Sequence, residues 1–211
     1  MRFKNGILFA LLGTAVLFST SCSKDDDDKP APKDPLKTVV QKNLQADPVS
    51  RNPETGEVIG GTNAYTLFRF ADSTIVANSD SASDKWDIGF RGTSIILNGG
   101  ISGPGAVEGQ VLSNTFAAVT EAPETGYAAD SESGNVFGEW YNYNMTDHTI
   151  HPKPGYVLVL HTADGKYVKV EIISYYEDAP AEPQAEDPSR YYTFRYVYQP
   201  DGSRNFTDDK Q

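Results

Sequence analysis

One stretch of the chain, residues 140–151, gathers the side chains best suited to binding chemistry. It holds Met145, the only methionine besides the initiator, and two of the three histidines. The candidate residues in this stretch are Trp140, Tyr141, Tyr143, Met145, His148 and His151. Thioether and imidazole groups among large aromatic rings suit a flat iron macrocycle, because they supply axial ligands to the metal and apolar surfaces to the ring.

Other interpretations of the same residues stay open at the level of the sequence. Met145 could fill a gap beneath the tyrosines, since a flexible thioether packs into irregular cores. His148 and His151 could form a polar turn before Pro152. A bare zinc or copper site could use both histidines together with Asp147, although three ligands within five residues of one loop are weak support for it.

Catalytic motifs are scarce. The segment Gly99–Gly105 is glycine-rich but lacks the Gly-Lys-Ser/Thr ending of a phosphate-binding loop, and Pro104 removes a backbone donor, so we expect a turn. No Gly-x-Ser-x-Gly motif occurs, and Cys22 is the only cysteine. A disulfide framework or a cysteine-based metal site within one chain is therefore excluded, and the sequence predicts a protein that is not an enzyme.

The elements that must position these residues are strands. Gly, Pro and aromatic residues are plentiful, and no long amphipathic helix interrupts the strand signals, so we expect an all-β, antiparallel single domain with little helix. The segment 36–45 could be a helix or a first strand, and Ala163–Gly165 predicts a hairpin turn. The other predicted strands are 65–70, 86–91, 94–97, 156–161, 166–173 and 191–198.

The N-terminus has the order of a secretory signal. Arg2 and Lys4 precede an apolar run, Ile7 to Phe18, and small residues lead to Cys22. This pattern resembles the lipobox of bacterial lipoproteins, which implies a signal peptide over 1–21 and lipidation of Cys22. The acidic run and the prolines that follow predict an extended tether over 22–35, ahead of the β domain at 36–211. The net charge of −11 argues against a nucleic-acid partner.

Several blocks of the chain resemble the HmuY family of haem-binding surface lipoproteins. They are Trp86-Asp-Ile-Gly-Phe-Arg91, Leu97-Asn-Gly-Gly-Ile-Ser-Gly-Pro-Gly105, Pro123 to Tyr127, Trp140 to Tyr143, and Ala163-Asp-Gly-Lys-Tyr-Val-Lys-Val170 with Tyr175 and Tyr176. The resemblance implies an all-β fold likened to a right hand. It also implies a lipid-anchored outer-membrane protein, facing the cell exterior, that delivers haem to a TonB-dependent receptor for iron acquisition.

The resemblance also implies a ligand set. Family members hold the iron by two axial side chains from neighbouring loops, and the second position falls on Met145 here. The loop that supplies the first ligand corresponds to Ala128–Glu139, which contains neither His nor Met. Haem or a related porphyrin could still be held by Met145, with further contacts from Phe137, Trp140, Tyr141, Tyr143, His148 and His151. The alternative is a surface lipoprotein that keeps the fold, has lost haem ligation and acts as an adhesion or accessory ligand-binding module.

Overall fold

Antiparallel strands make up nearly all regular structure in the computed structural model, which describes residues 35–52, 54–55 and 57–207. The strands are β1 (Thr38–Gln45), β2 (Ser50–Arg51), β3 (Val58–Ile59), β4 (Thr66–Arg69), β5 (Thr74–Val76), β6 (Ile88–Arg91), β7 (Ser94–Leu97), β8 (Glu108–Ser113), β9 (Tyr141–Asn144), β10 (Thr149–Pro152), β11 (Tyr156–His161), β12 (Tyr167–Tyr176) and β13 (Ser189–Gln199). A 3₁₀ turn at Asn78–Asp80 is the one helical element within the described ranges. The all-β prediction is confirmed.

Some sequence predictions fall beyond this part of the chain. The signal peptide at 1–21, Cys22 and nearly all of the tether lie outside the described residues. Within the described residues, no helix has both the length and the apolar character needed to cross a bilayer.

The strands form two larger sheets and two separate hairpins. One sheet has five strands in the order β1-β13-β12-β11-β8, and the other has four in the order β5-β4-β6-β7. The ambiguous segment 36–45 contains strand β1, and the predicted turn at Ala163–Gly165 joins β11 to β12, with Leu160 opposite Val168. Gly165 has a φ of 76°, a left-handed conformation that glycine adopts without steric cost.

The main core lies between the inner faces of the two larger sheets. Alternate residues of β11, β12 and β13 point inward because successive side chains of a strand lie on opposite faces. Aromatic rings from both sheets meet there: the Phe68 ring centroid lies 5.5 Å from that of Phe194, and the two planes are nearly perpendicular. Such edge-to-face pairs contribute about 1 kcal/mol each beyond the area they bury.

A smaller core covers the outer face of the five-stranded sheet. The alternation around Lys169 predicts a solvated outer face, but Lys169 is only 5% exposed, so that expectation is wrong at this position. Its Nζ donates to the carbonyl oxygens of Phe116 at 2.9 Å and Val119 at 2.7 Å, and it lies 4.4 Å from the Phe116 ring centroid. The chain around Phe116 folds over the sheet and supplies these partners, which a buried ammonium requires.

The glycine-rich segment is a tightly bonded turn, as predicted. We call residues 98–107 the glycine-rich turn. Asn98 is fully buried, and its side chain donates to the carbonyl oxygens of Ser83 at 2.9 Å and Trp86 at 2.8 Å while accepting from the Gly105 N–H at 3.0 Å. Gly100 has a φ of 61°, and a Cβ there would collide with the Asp130 carbonyl. The segment therefore serves the fold and does not form a phosphate loop.

Candidate functional site

The candidate segment 140–151 forms most of a β-hairpin. Strand β9 pairs with β10 in the register Asn144 to Thr149, Tyr143 to Ile150 and Asn142 to His151. Residues 145–148 connect the two strands, and we call them the hairpin tip. The sequence prediction omitted both strands, because each has only four residues, two residues of β9 are asparagines and β10 ends in a proline.

The base of the hairpin is anchored in the main core. Phe137 is fully buried, and Trp140 is 1% exposed. The indole N–H of Trp140 donates to the Thr93 carbonyl at 2.9 Å, and its ring lies 5.2 Å from that of Tyr192. Tyr141 is partly buried and packs against the same core. In this structure, both Phe137 and Trp140 pack in the main core at the base of the hairpin. Their contact with a bound ring stays a prediction.

The tip, in contrast, presents its side chains to solvent. Met145 is 76% exposed, and Tyr143 is 47% exposed. A methionine that filled a core gap would be buried, so the gap-filling interpretation of Met145 is wrong. Large apolar side chains at such exposure are candidates for contact with a ligand or a partner when they occur together.

A hydrogen bond joins two of the predicted site residues at this tip. The Tyr143 hydroxyl lies 2.7 Å from Nδ1 of His148, which is exposed and has a φ of 58°. A non-glycine residue in the left-handed region is uncommon, and such strain is often found at functional sites. Because Nδ1 is engaged, Nε2 is the nitrogen left for a metal, and a partner on the other ring nitrogen fixes the orientation of a ligating imidazole.

Hydrogen bonds among polar side chains link the hairpin tip to both of its strands. Asp147 accepts from the Asn144 side chain at 2.7 Å and from the Thr149 N–H at 3.1 Å. The hydrogen bond from the Thr149 hydroxyl is the main reason that the pKa of Asp147 is lowered. His151 contacts the same hydroxyl, through Nε2 at 2.7 Å. His151 lies two residues from Thr149 on one strand, so both occupy the opposite face from Tyr143.

The structure therefore separates the predicted residues into three groups. Phe137, Trp140 and Tyr141 lie in or against the main core. Met145 and His148 lie in the exposed tip and Tyr143 precedes it on β9, whereas His151 faces the other side of the hairpin. Within the described residues, no three His, Cys, Asp or Glu side chains are placed to hold a metal ion together, so the zinc or copper alternative gains no support. A thioether and an imidazole at an open tip suit one axial position of a haem iron.

The loop that precedes the hairpin is fixed to the fold. Asp130, which the sequence analysis did not single out, is 2% exposed and accepts from the backbone N–H groups of Leu97 at 2.8 Å and Val136 at 2.9 Å. Ala128 also exchanges two backbone hydrogen bonds with Gly109. The loop therefore contributes structure here, and no sequence motif marks the role of Asp130.

Comparisons with known proteins give one family. The family model described as HmuY protein matches residues 43–196. No curated protein matches the chain.

Solved structures provide three similar chains. The apo HmuY analogue of Tannerella forsythia is 17% identical, with a TM-score of 0.47 over 78% of this chain and 96% of that chain. A candidate HmuY-like haem-binding protein from Bacteroides vulgatus is 16% identical, with a TM-score of 0.45 over 76% of this chain and 90% of that one. A candidate lipoprotein from Bacteroides fragilis is 15% identical, with a TM-score of 0.47 over 75% and 86%.

Proposed function

We propose that this chain, which belongs to the HmuY family, binds haem or a related tetrapyrrole at the tip of the β9–β10 hairpin. The observation that carries the proposal is the exposure of Met145, 76%, beside an exposed tyrosine and histidine. Met145 would supply an axial ligand, and Tyr143 would lie against the ring. Partly buried Tyr141 would support the ring edge nearer the domain.

His148 has a defined place in this proposal. The Tyr143 hydroxyl orients its imidazole through Nδ1, so Nε2 is available as an iron ligand in place of Met145 or as a hydrogen-bond donor to the ligand. His151 faces the other side of the hairpin and would take part only at the edge of the site. Haem, when bound, would supply the iron and the flat apolar surface, and these side chains would hold it in place.

The cellular setting extends the proposal. The signal at 1–21 and the cysteine at 22 support a lipoprotein of the outer membrane that faces the cell exterior and passes its ligand to a TonB-dependent receptor. Replacement of Cys22 by Ser should abolish incorporation of labelled fatty acid and release the protein from the membrane fraction. Labelling that persists in this variant would show that Cys22 is not the acylated residue.

The direct test is a haemin titration of the soluble domain, residues 30–211, under oxidising and reducing conditions. This domain contains every described strand and both cores, so it retains the fold. We expect a saturable one-to-one Soret band. Met145→Ala should shift the band and weaken binding about tenfold or more, whereas Ile75→Ala, which removes an apolar side chain of 58% exposure from β5, should change neither.

Each outcome decides a separate point. An unchanged band in Met145→Ala would reject the role of Met145, and a change in His148→Ala alone would assign the iron to the imidazole. The absence of any saturable band in the wild-type domain would reject tetrapyrrole binding. The second candidate function, adhesion or accessory ligand binding on a retained fold, would then be favoured, because Ala128–Glu139 has no His or Met and is held by Asp130.

A further inference from the structure

A groove separate from the hairpin tip lies between the hairpin and β12, and we call it the β10–β12 groove. Its volume of about 660 Å³ falls within the range of small-molecule sites. The hairpin contributes Asn142 and His151, which face away from Tyr143, and the sheet contributes Glu171, Ile173 and Arg195. Neither Met145 nor His148 lines this groove.

A β-bulge gives the groove an apolar wall. Ile172 pairs with Phe194 and Ser174 pairs with Thr193, so Ile173 is an extra residue on β12 without a partner on β13. It is 44% exposed, although an isoleucine in a long central strand is usually buried. Bulges redirect side chains and are frequent next to binding sites. Pro152 and Pro154 continue the apolar surface on the hairpin side.

Basic groups line the polar part of the groove. Arg195 places Nε and Nη2 on a single oxygen of Glu171, at 2.6 and 2.5 Å, and its guanidinium lies 4.5 Å from the Phe116 ring centroid. Its Nη1 has no hydrogen-bond partner among the described residues. Lys153 contacts Glu139 at 3.4 Å, but that carboxylate side chain is 89% exposed, so the pair is weak and readily exchanged.

These features define one kind of ligand. We propose that the β10–β12 groove binds an amphipathic carboxylate of the fatty-acid type. The acyl chain would pack against Ile173 and the two prolines, and the carboxylate would accept hydrogen bonds from Arg195 Nη1 and Lys153. Among the described residues that line the groove, Lys153 and Arg195 are cationic and Glu171 is the one carboxylate, so the lining favours an anion although the whole chain carries −11.

The test is isothermal titration calorimetry of sodium dodecanoate, below its micelle concentration, into the soluble domain of residues 30–211. We expect saturable one-to-one binding that weakens at least tenfold in Ile173→Asp and at least threefold in Lys153→Gln. The matched controls are Ile101→Asp, at an exposed isoleucine in the glycine-rich turn, and Lys85→Gln, at an exposed lysine. Both controls should bind as the wild type does. Circular dichroism melting identifies any variant that fails to fold.

A second arm separates this site from the tetrapyrrole site. Met145→Ala should bind dodecanoate as the wild type does, and saturation with haemin should leave the dodecanoate affinity within twofold. The proposal is overturned by the absence of saturable binding, by wild-type affinity in Ile173→Asp, or by an equal loss in the two control variants. Displacement of dodecanoate by haemin would also overturn it, because the groove would then belong to the tetrapyrrole site.

Discussion

The glycine-rich turn and the hairpin tip are both reversals between strands, yet they are connected to the protein in opposite ways. The side chain of Asn98 reaches into the fold, because it donates to the Ser83 and Trp86 carbonyls outside the turn, and it also accepts from the Gly105 N–H within the turn. Hydrogen bonds of the tip, among the described residues, end within the hairpin itself. The glycine-rich turn therefore contributes to the stability of the fold, whereas the hairpin tip depends on the fold for its position and adds little to its stability.

This difference shows why family motifs and binding residues need not coincide. Trp86, Asn98 and Trp140 belong to the sequence blocks that carry the family resemblance, and all three are buried. The exposed tip residues Met145 and His148 make little contact with the core, so substitution there has little cost for folding. A binding site on such a tip could change its ligands while the fold persists.

The largest effect should come from Asn98→Ala. The substitution leaves the Ser83 and Trp86 carbonyls and the Gly105 N–H without their partner in a buried site, which should lower the free energy of unfolding by about 4 kcal/mol. The matched control is Asn144→Ala in the exposed hairpin, with an expected loss below about 1 kcal/mol. Urea unfolding measures both, and equal losses would contradict the contrast between the two reversals.

Trp140→Leu should have the next largest effect on stability. This substitution tests the end of the hairpin that is anchored in the core. It removes the hydrogen bond to the Thr93 carbonyl and leaves a cavity beside Tyr192, so we expect a loss of about 3 kcal/mol. Haemin affinity should fall as well, since the hairpin loses its support. Tyr143→Leu, at a half-exposed position, should weaken haemin binding without a comparable loss of stability. Stability unchanged in Trp140→Leu would reject the anchoring role.

A pH-dependent effect should come from Asp87, whose carbonyl accepts the Asn98 N–H at 3.0 Å. Burial raises the pKa of Asp87 to about 6, with a further rise from Asp164 and Asp72 against the lowering by Arg69 and the Phe70 N–H. Because this pKa is higher in the folded state than in the unfolded state, Asp87 destabilises the fold above pH 6, and that penalty is relieved as the pH falls towards 4.

Asp87→Asn removes this titration. The difference in unfolding free energy between the wild type and the variant should therefore change by about 2 kcal/mol between pH 7.5 and pH 4.5, in favour of the wild type at the lower pH. Urea midpoints at the two pH values measure the change. A constant difference would show that Asp87 does not titrate in this range.

The sequence alone indicates the strands with alternating apolar residues, such as β12, because periodicity reports which face is buried. It also selects Met145 and His148 as candidates, since their residue types are rare in this chain, and their role in binding stays a prediction. It does not indicate β9 and β10, because each strand has only four residues and they contain asparagine or proline, which are depleted in strands. Nor does it indicate the burial of Lys169 beneath residues distant in sequence. The Tyr143–His148 bond depends on a left-handed residue in the turn, which composition cannot predict.

Met145→Ala should have the smallest effect on stability and the clearest effect on ligand. Because the Met145 side chain is 76% exposed, its truncation should change the free energy of unfolding by less than about 0.5 kcal/mol. The same substitution should weaken haemin binding about tenfold, which corresponds to about 1.4 kcal/mol of binding free energy. Urea unfolding of the domain without ligand and haemin titration separate the two quantities. A large loss of stability would mean that the tip takes part in the fold, and the contrast with the glycine-rich turn would then fail.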